Sequence, residues 1–292
     1  MPALIPDYST VAVLLPMSGA DNGTLFPDYS PTPKAVTRGG NTKTVTAQSK
    51  YYGSSVSFGG AGDYLTLAHA SVSTLFNADF SMGSWANLGA SIPASTFPRL
   101  ASKNGDTATG FVVFLHPTDG RVYFKSAGVA IASPASDLVV PGTWFHWMVI
   151  RSGSTVKIYV NGKVGGSMTL SGPVGGTDLL YIAYSIAPAA AYFVGHMQDF
   201  IAVPSALYAA DFAPPGRLIG EIAVTTKNEA GVLVPRKVFA VPRSYPSVVK
   251  ASGTTDASGA LTLTNLPACE YSVVAIADGD TLPDLVMRKQ AA

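Results

Sequence analysis

Charge, cysteine and glutamate are the scarce components of this 292-residue chain. Only 13% of residues are charged and the formal net charge is +1. An average soluble domain carries about 25% charged residues. Nucleic-acid binding rests on an excess of Lys and Arg over acidic groups, and none exists here. The single cysteine, Cys269, excludes a disulfide scaffold. No apolar run approaches the roughly 18 residues of a membrane span. The start, Met1-Pro2-Ala3-Leu4-Ile5-Pro6-Asp7, lacks a basic stretch followed by an apolar one, so no secretory signal is expected. Glu is rarer still. Of the 18 acidic residues only Glu221, Glu229 and Glu270 are Glu. Apolar residues, at 47%, are ordinary in number and exclude a disordered chain.

Turn formers and strand formers are plentiful. There are 29 glycines and 21 prolines, and few windows free of both are long enough for a mean helix of about 11–12 residues. Alternation of period two recurs. Val156-Lys157-Ile158-Tyr159-Val160 alternates and stops at Asn161-Gly162, a strong hairpin signal. Gly110 to Leu115 and Arg121 to Lys125 flank a turn at Pro117-Thr118-Asp119-Gly120. Many short strands at regular turn spacing predict an all-β sandwich or barrel. A boundary is expected at Ala213-Pro214-Pro215-Gly216. Before it lie eleven basic and eleven acidic residues, all of the latter Asp; after it lie eight basic and seven acidic residues. The expected organisation is an N-terminal arm, 1–10, a large domain, 11–215, and a small β domain, 216–292.

Residues 11–215 carry an ordered series of local patterns. Leu14-Leu15 is followed by Gly19-Ala20-Asp21-Asn22-Gly23. Val56-Ser57-Phe58-Gly59-Gly60-Ala61-Gly62-Asp63-Tyr64-Leu65 is a strand, a glycine turn and Asp-Tyr-Leu. Asp79 to Trp85, Trp144-Phe145-His146-Trp147, Lys157 to Gly162, Gly195 to Phe200 and Ala206 to Phe212 follow in order. The series resembles the laminin G-like, concanavalin A-like jelly roll, in a variant common in phage sequences. That resemblance implies an antiparallel jelly-roll β-sandwich. Met17-Ser18 stands where the family's first strand often carries an Asp, which weakens any metal role for that loop. Residues 217–290 resemble a carboxypeptidase-regulatory or transthyretin-like sandwich found at the end of phage structural proteins. The matching residues are Gly253 to Gly259 and Leu266-Pro267-Ala268-Cys269-Glu270-Tyr271. Asp-x-x-Gly there is a turn and Leu-Pro a corner before the last long strand.

The resemblance raises glycoside hydrolysis, which needs two carboxylates about 5–9.5 Å apart. Hydrolases of this fold carry a Glu-x-Asp-x-x-Glu strand, whereas the large domain has no Glu. No catalytic residue is assigned and no enzyme is expected. His69, His116, His146 and His196 lack metal-ligand spacing. His146 shares a strand face with Trp144 and Met148 and reads as a packed side chain. Members of the family often bind calcium on a rim loop, and Asp21, Asp63 and Asp106 are the candidates, against the plainer reading that they make turns. No other cofactor is implied. Tyr51, Tyr52 and Phe97 are the loop aromatics for a sugar, while Trp85 is expected in the core. The weakly charged stretch Ala187 to Phe193 adds Tyr192 and Phe193 as contact residues, against the equal reading that this loop folds back on its own sandwich.

A lectin-like fold without an export signal points to a particle assembled in the host cytoplasm. The expected role is a non-enzymatic virion protein of a tailed bacteriophage, on the tail, on the baseplate or decorating the capsid. Its partners would be other virion proteins, copies of itself and host-surface glycan, without nucleic acid or membrane insertion. A host-glycan adhesin is the alternative, and a polysaccharide-degrading enzyme the third reading.

Overall fold

Short alternating runs punctuated by glycine leave little room for anything but strands. The computed structural model describes residues 7–60, 62–89, 91, 96–186, 191–216, 218–226, 232, 237–242, 250–267, 270–276 and 285–290. The chain divides into two compact units, one of Val11–Pro214 and one of Met1–Thr10 with Pro215–Ala292. Cys269 lies outside the described residues, as do 187–190 of the expected contact loop.

In the larger unit the strands, in chain order, are β1 (Val13–Leu15), β2 (Val36–Gly39), β3 (Lys43–Val45), β4 (Ser55–Phe58), β5 (Tyr64–Leu67), β6 (Phe80–Leu88), β7 (Arg99–Lys103), β8 (Phe111–Leu115), β9 (Val122–Ser126), β10 (Val129–Ala132), β11 (Trp144–Ser152), β12 (Thr155–Val160), β13 (Lys163–Thr169), β14 (Leu180–Ile182), β15 (Tyr184–Ser185), β16 (Ala191–Tyr192) and β17 (Gly195–Val203). One helical turn, α1 (His69–Val72), precedes β6. Eight strands form one sheet in the order β13-β12-β11-β6-β17-β4-β3, with β1 also on β17. Seven form the other in the order β10-β9-β8-β7-β14-β5-β2. All pairs are antiparallel, giving the jelly-roll sandwich that the sequence predicts. Phe58, Phe80, Met82, Phe111, Val113, Phe124, Trp147 and Ile158 belong to the buried core between the sheets.

Asn161-Gly162 makes the predicted hairpin between β12 and β13, with both residues at positive φ (49° and 77°). Gly162 is required twice over, because a Cβ there would also run into the carbonyl oxygen of Phe212.

The second unit holds β18 (Ile219–Thr225), β19 (Lys237–Pro242), β20 (Ala251–Thr254), β21 (Ala260–Pro267), β22 (Glu270–Ile276) and β23 (Leu285–Gln290). β18 pairs with β21, and the other four run β20-β19-β22-β23. The Asp256 carboxylate accepts from the Ser258 and Ala260 N–H groups at 2.8 and 3.0 Å, closing the predicted turn with Gly259 at φ 67°. Tyr271 is buried, and its hydroxyl donates to the Pro267 carbonyl at the corner before β22. Among the described residues no helix is long and apolar enough to cross a membrane.

Candidate functional site

Strand alternation sorts the aromatic side chains onto three surfaces: the core and the two outer faces of the sandwich. In β6 the core takes Phe80, Met82, Ala86 and Leu88, so Trp85 points the other way. The expectation that Trp85 packs in the core is therefore corrected. It is buried, at 7% exposure, but on the outer face of the eight-stranded sheet. There it stands in register between Gln198 on β17 and His146 on β11.

The chain itself roofs this outer face. The buried Gln198 amide accepts from the Lys50 and Tyr51 N–H groups at 2.9 and 3.0 Å and donates to the Ser54 carbonyl at 2.6 Å. The Tyr52 hydroxyl donates to the Asp199 carboxylate at 2.7 Å. These bonds lay Tyr51 against Trp85, with ring centroids 5.9 Å apart, and hold Lys50 Nζ 4.2 Å from the Trp85 ring. Farther along the face, Trp85 meets His146, which meets Phe212, which stacks on Tyr208. The segment carrying Tyr208 and Phe212 is pinned by Leu207 N–H to Ser81 Oγ and by Val164 N–H to Asp211. His146 is the packed side chain expected of it. Burial pushes its pKa down to about 3, so the ring is neutral. Tyr51 and Tyr52 remain half-buried, and their rings chiefly close a second hydrophobic layer.

The outer face of the seven-stranded sheet is more open. Register aligns Arg99 on β7, Phe114 on β8 and Tyr123 on β9 in one outward row. Phe97, just before β7, sits over this row, with its ring 5.6 Å from Phe114 and 5.3 Å from the His116 imidazole. Among the described residues Phe97, at 38%, is the one aromatic side chain of high exposure. Phe114 and Tyr123 stack at 5.4 Å, and His116 leans on Tyr123. Polar groups around the rings are held in fixed directions. The Asp119 carboxylate accepts from the Tyr123 hydroxyl at 2.7 Å and the Arg121 N–H at 3.0 Å, and lies 3.4 Å from His116 Nδ1. Burial alone would raise the Asp119 carboxyl, but these donors and the nearby positive charge outweigh it and hold the carboxyl below its usual range. The Arg121 guanidinium donates to the Ser133 carbonyl. An exposed ring flanked by oriented donors and acceptors suits the flat apolar face and equatorial hydroxyls of a sugar.

The remaining candidates are scattered. Tyr192 is half-buried on β16 opposite Tyr184, whose ring lies 5.1 Å from Tyr64 and 5.5 Å from Tyr181. Phe193 is fully buried in the core, because alternation turns it away from the side Tyr192 occupies; its expected role as a contact residue is corrected. The three calcium candidates are not brought together. Asp21 accepts from Thr46 N–H and Asn22 Nδ2. Asp63 is buried and ties two turns, accepting from Asn41 and Gly59 N–H groups, each at 2.7 Å. Asp106 pairs with Lys125 at 2.6 Å. Among the described residues no three His, Cys, Asp or Glu side chains converge on a metal position. Sequence reasoning missed Arg99, Phe114, His116, Asp119 and Tyr123 as a group. The signal was the alternation itself: with Val113 and Phe124 inside, Phe114 and Tyr123 must face out.

Residues 58–213 match the family described as the concanavalin A-like lectin/glucanases superfamily. No curated protein matches the chain by sequence. Among solved structures the chain is similar to domain 4 of AbnA, a GH43 extracellular arabinanase from Geobacillus stearothermophilus, in complex with arabinotriose. The TM-score is 0.51 at 14% identity, over 68% of this chain and 94% of that one. It is also similar to botulinum neurotoxin type C, whose cell entry depends on interaction with two ganglioside molecules (TM-score 0.51, 12% identity, 70% of this chain). The chain spans 50% of that structure's length. The serotype D/C VPI 5993 binding domain aligns over 92% of this chain and 78% of that one, with TM-score 0.51 at 10% identity. At these identities the likeness is one of fold.

Proposed function

The chain belongs to the concanavalin A-like lectin/glucanases superfamily, and on that premise we propose that its sandwich is a non-catalytic glycan-binding domain whose contact surface is the Phe97 platform. The observation that carries the reading is an exposed ring on the seven-stranded sheet with oriented polar side chains beside it. The arabinotriose of the arabinanase domain and the gangliosides of the neurotoxin support a sugar as ligand. The sandwich carries no Glu, which argues against the paired carboxylates of glycoside hydrolysis.

The setting we propose is the virion of a tailed phage, assembled in the host cytoplasm, with the protein on the tail, on the baseplate or on the capsid. The smaller unit is then the phage-type, transthyretin-like module. Sparse charge and exposed Leu25, Leu138, Val140 and Ile186 support contact with other subunits. A free-standing host adhesin would use the same platform. The test is a glycan array probed with the full chain and with Phe97→Ala. Binding by the parent chain that Phe97→Ala abolishes, without a change in its thermal transition, is expected. Absence of binding to any glycan would refute the glycan reading. Locating the chain in purified particles by cryo-EM tests the setting, and its absence from them would refute that.

A further inference from the structure

Among the described residues, the sandwich holds four arginines, and three of them cap backbone carbonyls. Arg38 donates to Gly40 and Thr42, Arg121 to Ser133, and Arg151 to Gly153, Gly172 and Leu170. The buried ammonium of Lys103 is likewise held, by the carbonyls of Gly176 and Asp178 and by His69 Nδ1. Arg99 is different. Its exposure is 8%, its Nε is buried with no hydrogen-bond partner, and among the described residues its side chain makes no ion pair or hydrogen bond. Among the described residues aromatic faces receive it, with the guanidinium carbon 5.0 Å from the Phe114 ring and 5.8 Å from the Phe97 ring. Asp106, whose charge acts on Arg99 from a distance, is already paired with Lys125, and Asp119 is held by Tyr123 and Arg121.

A buried guanidinium Nε–H without an acceptor is costly, and an unmade charge-assisted bond is an uncommon feature in a folded interior. Its place is informative, because Arg99 lies in the same outward row as the platform, directly beneath the exposed Phe97 ring. Ring stacking and a planar fork of donors side by side match a sugar ring that carries a carboxylate. We propose that Arg99 is the anion subsite of the Phe97 platform and that the glycan bound there contains an acidic, carboxylate-bearing sugar. This inference rests on the glycan reading above and adds the ligand's class.

The closing experiment uses the full chain and two readouts. The first is the NMR signal of Arg99 Nε–H, assigned with Arg99→Gln and titrated with sodium glucuronate, glucose and sodium sulfate. Glucuronate should shift it saturably, and glucose should not. No shift with glucuronate overturns the proposal, and an equal shift with sulfate overturns the assignment to a carboxylate sugar. The second is an array of neutral and uronic-acid glycans. Arg99→Gln should weaken the acidic glycans roughly 10- to 100-fold and any neutral ones markedly less. Neutral binding alone, unaffected by Arg99→Gln, would overturn the anion subsite and leave the glycan reading standing. No binding to any glycan would overturn both readings of a sugar. Folding is controlled in the same samples, since removing a charged group whose Nε is buried without an acceptor should raise, not lower, the denaturation midpoint of Arg99→Gln. A lowered midpoint would mean that the fold needs the guanidinium, and would overturn its assignment to a ligand.

Discussion

Gln198 is the side chain whose loss should most directly uncover the eight-stranded sheet. Its amide makes three hydrogen bonds from a position with no solvent exposure, two accepted from Lys50 and Tyr51 and one donated to Ser54. Truncation in Gln198→Ala removes all three. A typical bond contributes about 1 kcal/mol, and a buried backbone group left without a partner costs about 1–3 kcal/mol. The Ser54 carbonyl accepts a buried bond, whereas the bonds from the Lys50 and Tyr51 N–H groups are partly buried and those groups regain some water. The expected loss is therefore about 3–5 kcal/mol. Gln198→Glu separates the two ends of the amide. A carboxylate still accepts from Lys50 and Tyr51 but turns an oxygen toward the Ser54 carbonyl. Protonation restores a donor, so this variant should regain stability as pH falls through its carboxyl pKa. The assay is urea unfolding followed by tryptophan fluorescence. All three tryptophans, Trp85, Trp144 and Trp147, lie in the sandwich, so the signal reports that unit. A loss below about 1 kcal/mol for Gln198→Ala, or a Gln198→Glu midpoint that falls on acidification as much as the parent's does, would refute the reasoning.

Three further outcomes are expected. The His146 pKa is lowered in the folded state to about 3, below the unfolded value, so the protein loses stability as pH falls below about 6.5 and until it reaches about 3. Urea midpoints at pH 7.5 and 4.5 should show roughly 2–3 kcal/mol of this loss in the parent chain and not in His146→Gln; equal losses would refute it. Gly162→Ala and Gly153→Ala both force alanine to positive φ, each costing about 1–2 kcal/mol. Only Gly162→Ala also meets the Phe212 carbonyl, so calorimetry should show a clearly larger fall in Tm for it, and equal falls would count against that contact. Asp119→Asn removes the charge that the Tyr123 hydroxyl donates to. The Tyr123 pKa, raised chiefly by that bond, should fall toward its ordinary value in a spectrophotometric titration, and an unmoved Tyr123 would refute the assignment.

Sequence alone determined the all-β class, because glycine, proline and period-two runs act locally and leave few helical windows. It located the Asn161-Gly162 hairpin and the Asp256 turn for the same reason: both are set by the backbone preferences of adjacent residues. Scarcity of charge and the absence of Glu from the sandwich were likewise legible in full. What tertiary structure decided was the face on which each side chain ends up. Trp85 looked like a core residue and proved to be the floor of a second layer, because residues 50–54, far away along the chain, fold over it through Gln198. Phe193 looked like a loop contact and lies in the core, one position out of phase with Tyr192. Arg99, Phe114, His116 and Tyr123 come from three separate stretches, and only the register of β7, β8 and β9 places them side by side beneath Phe97. Local propensity acts over a few residues and can be read from them. Strand register and the covering of a sheet face depend on contacts between distant parts of the chain, and these exist only once it has folded.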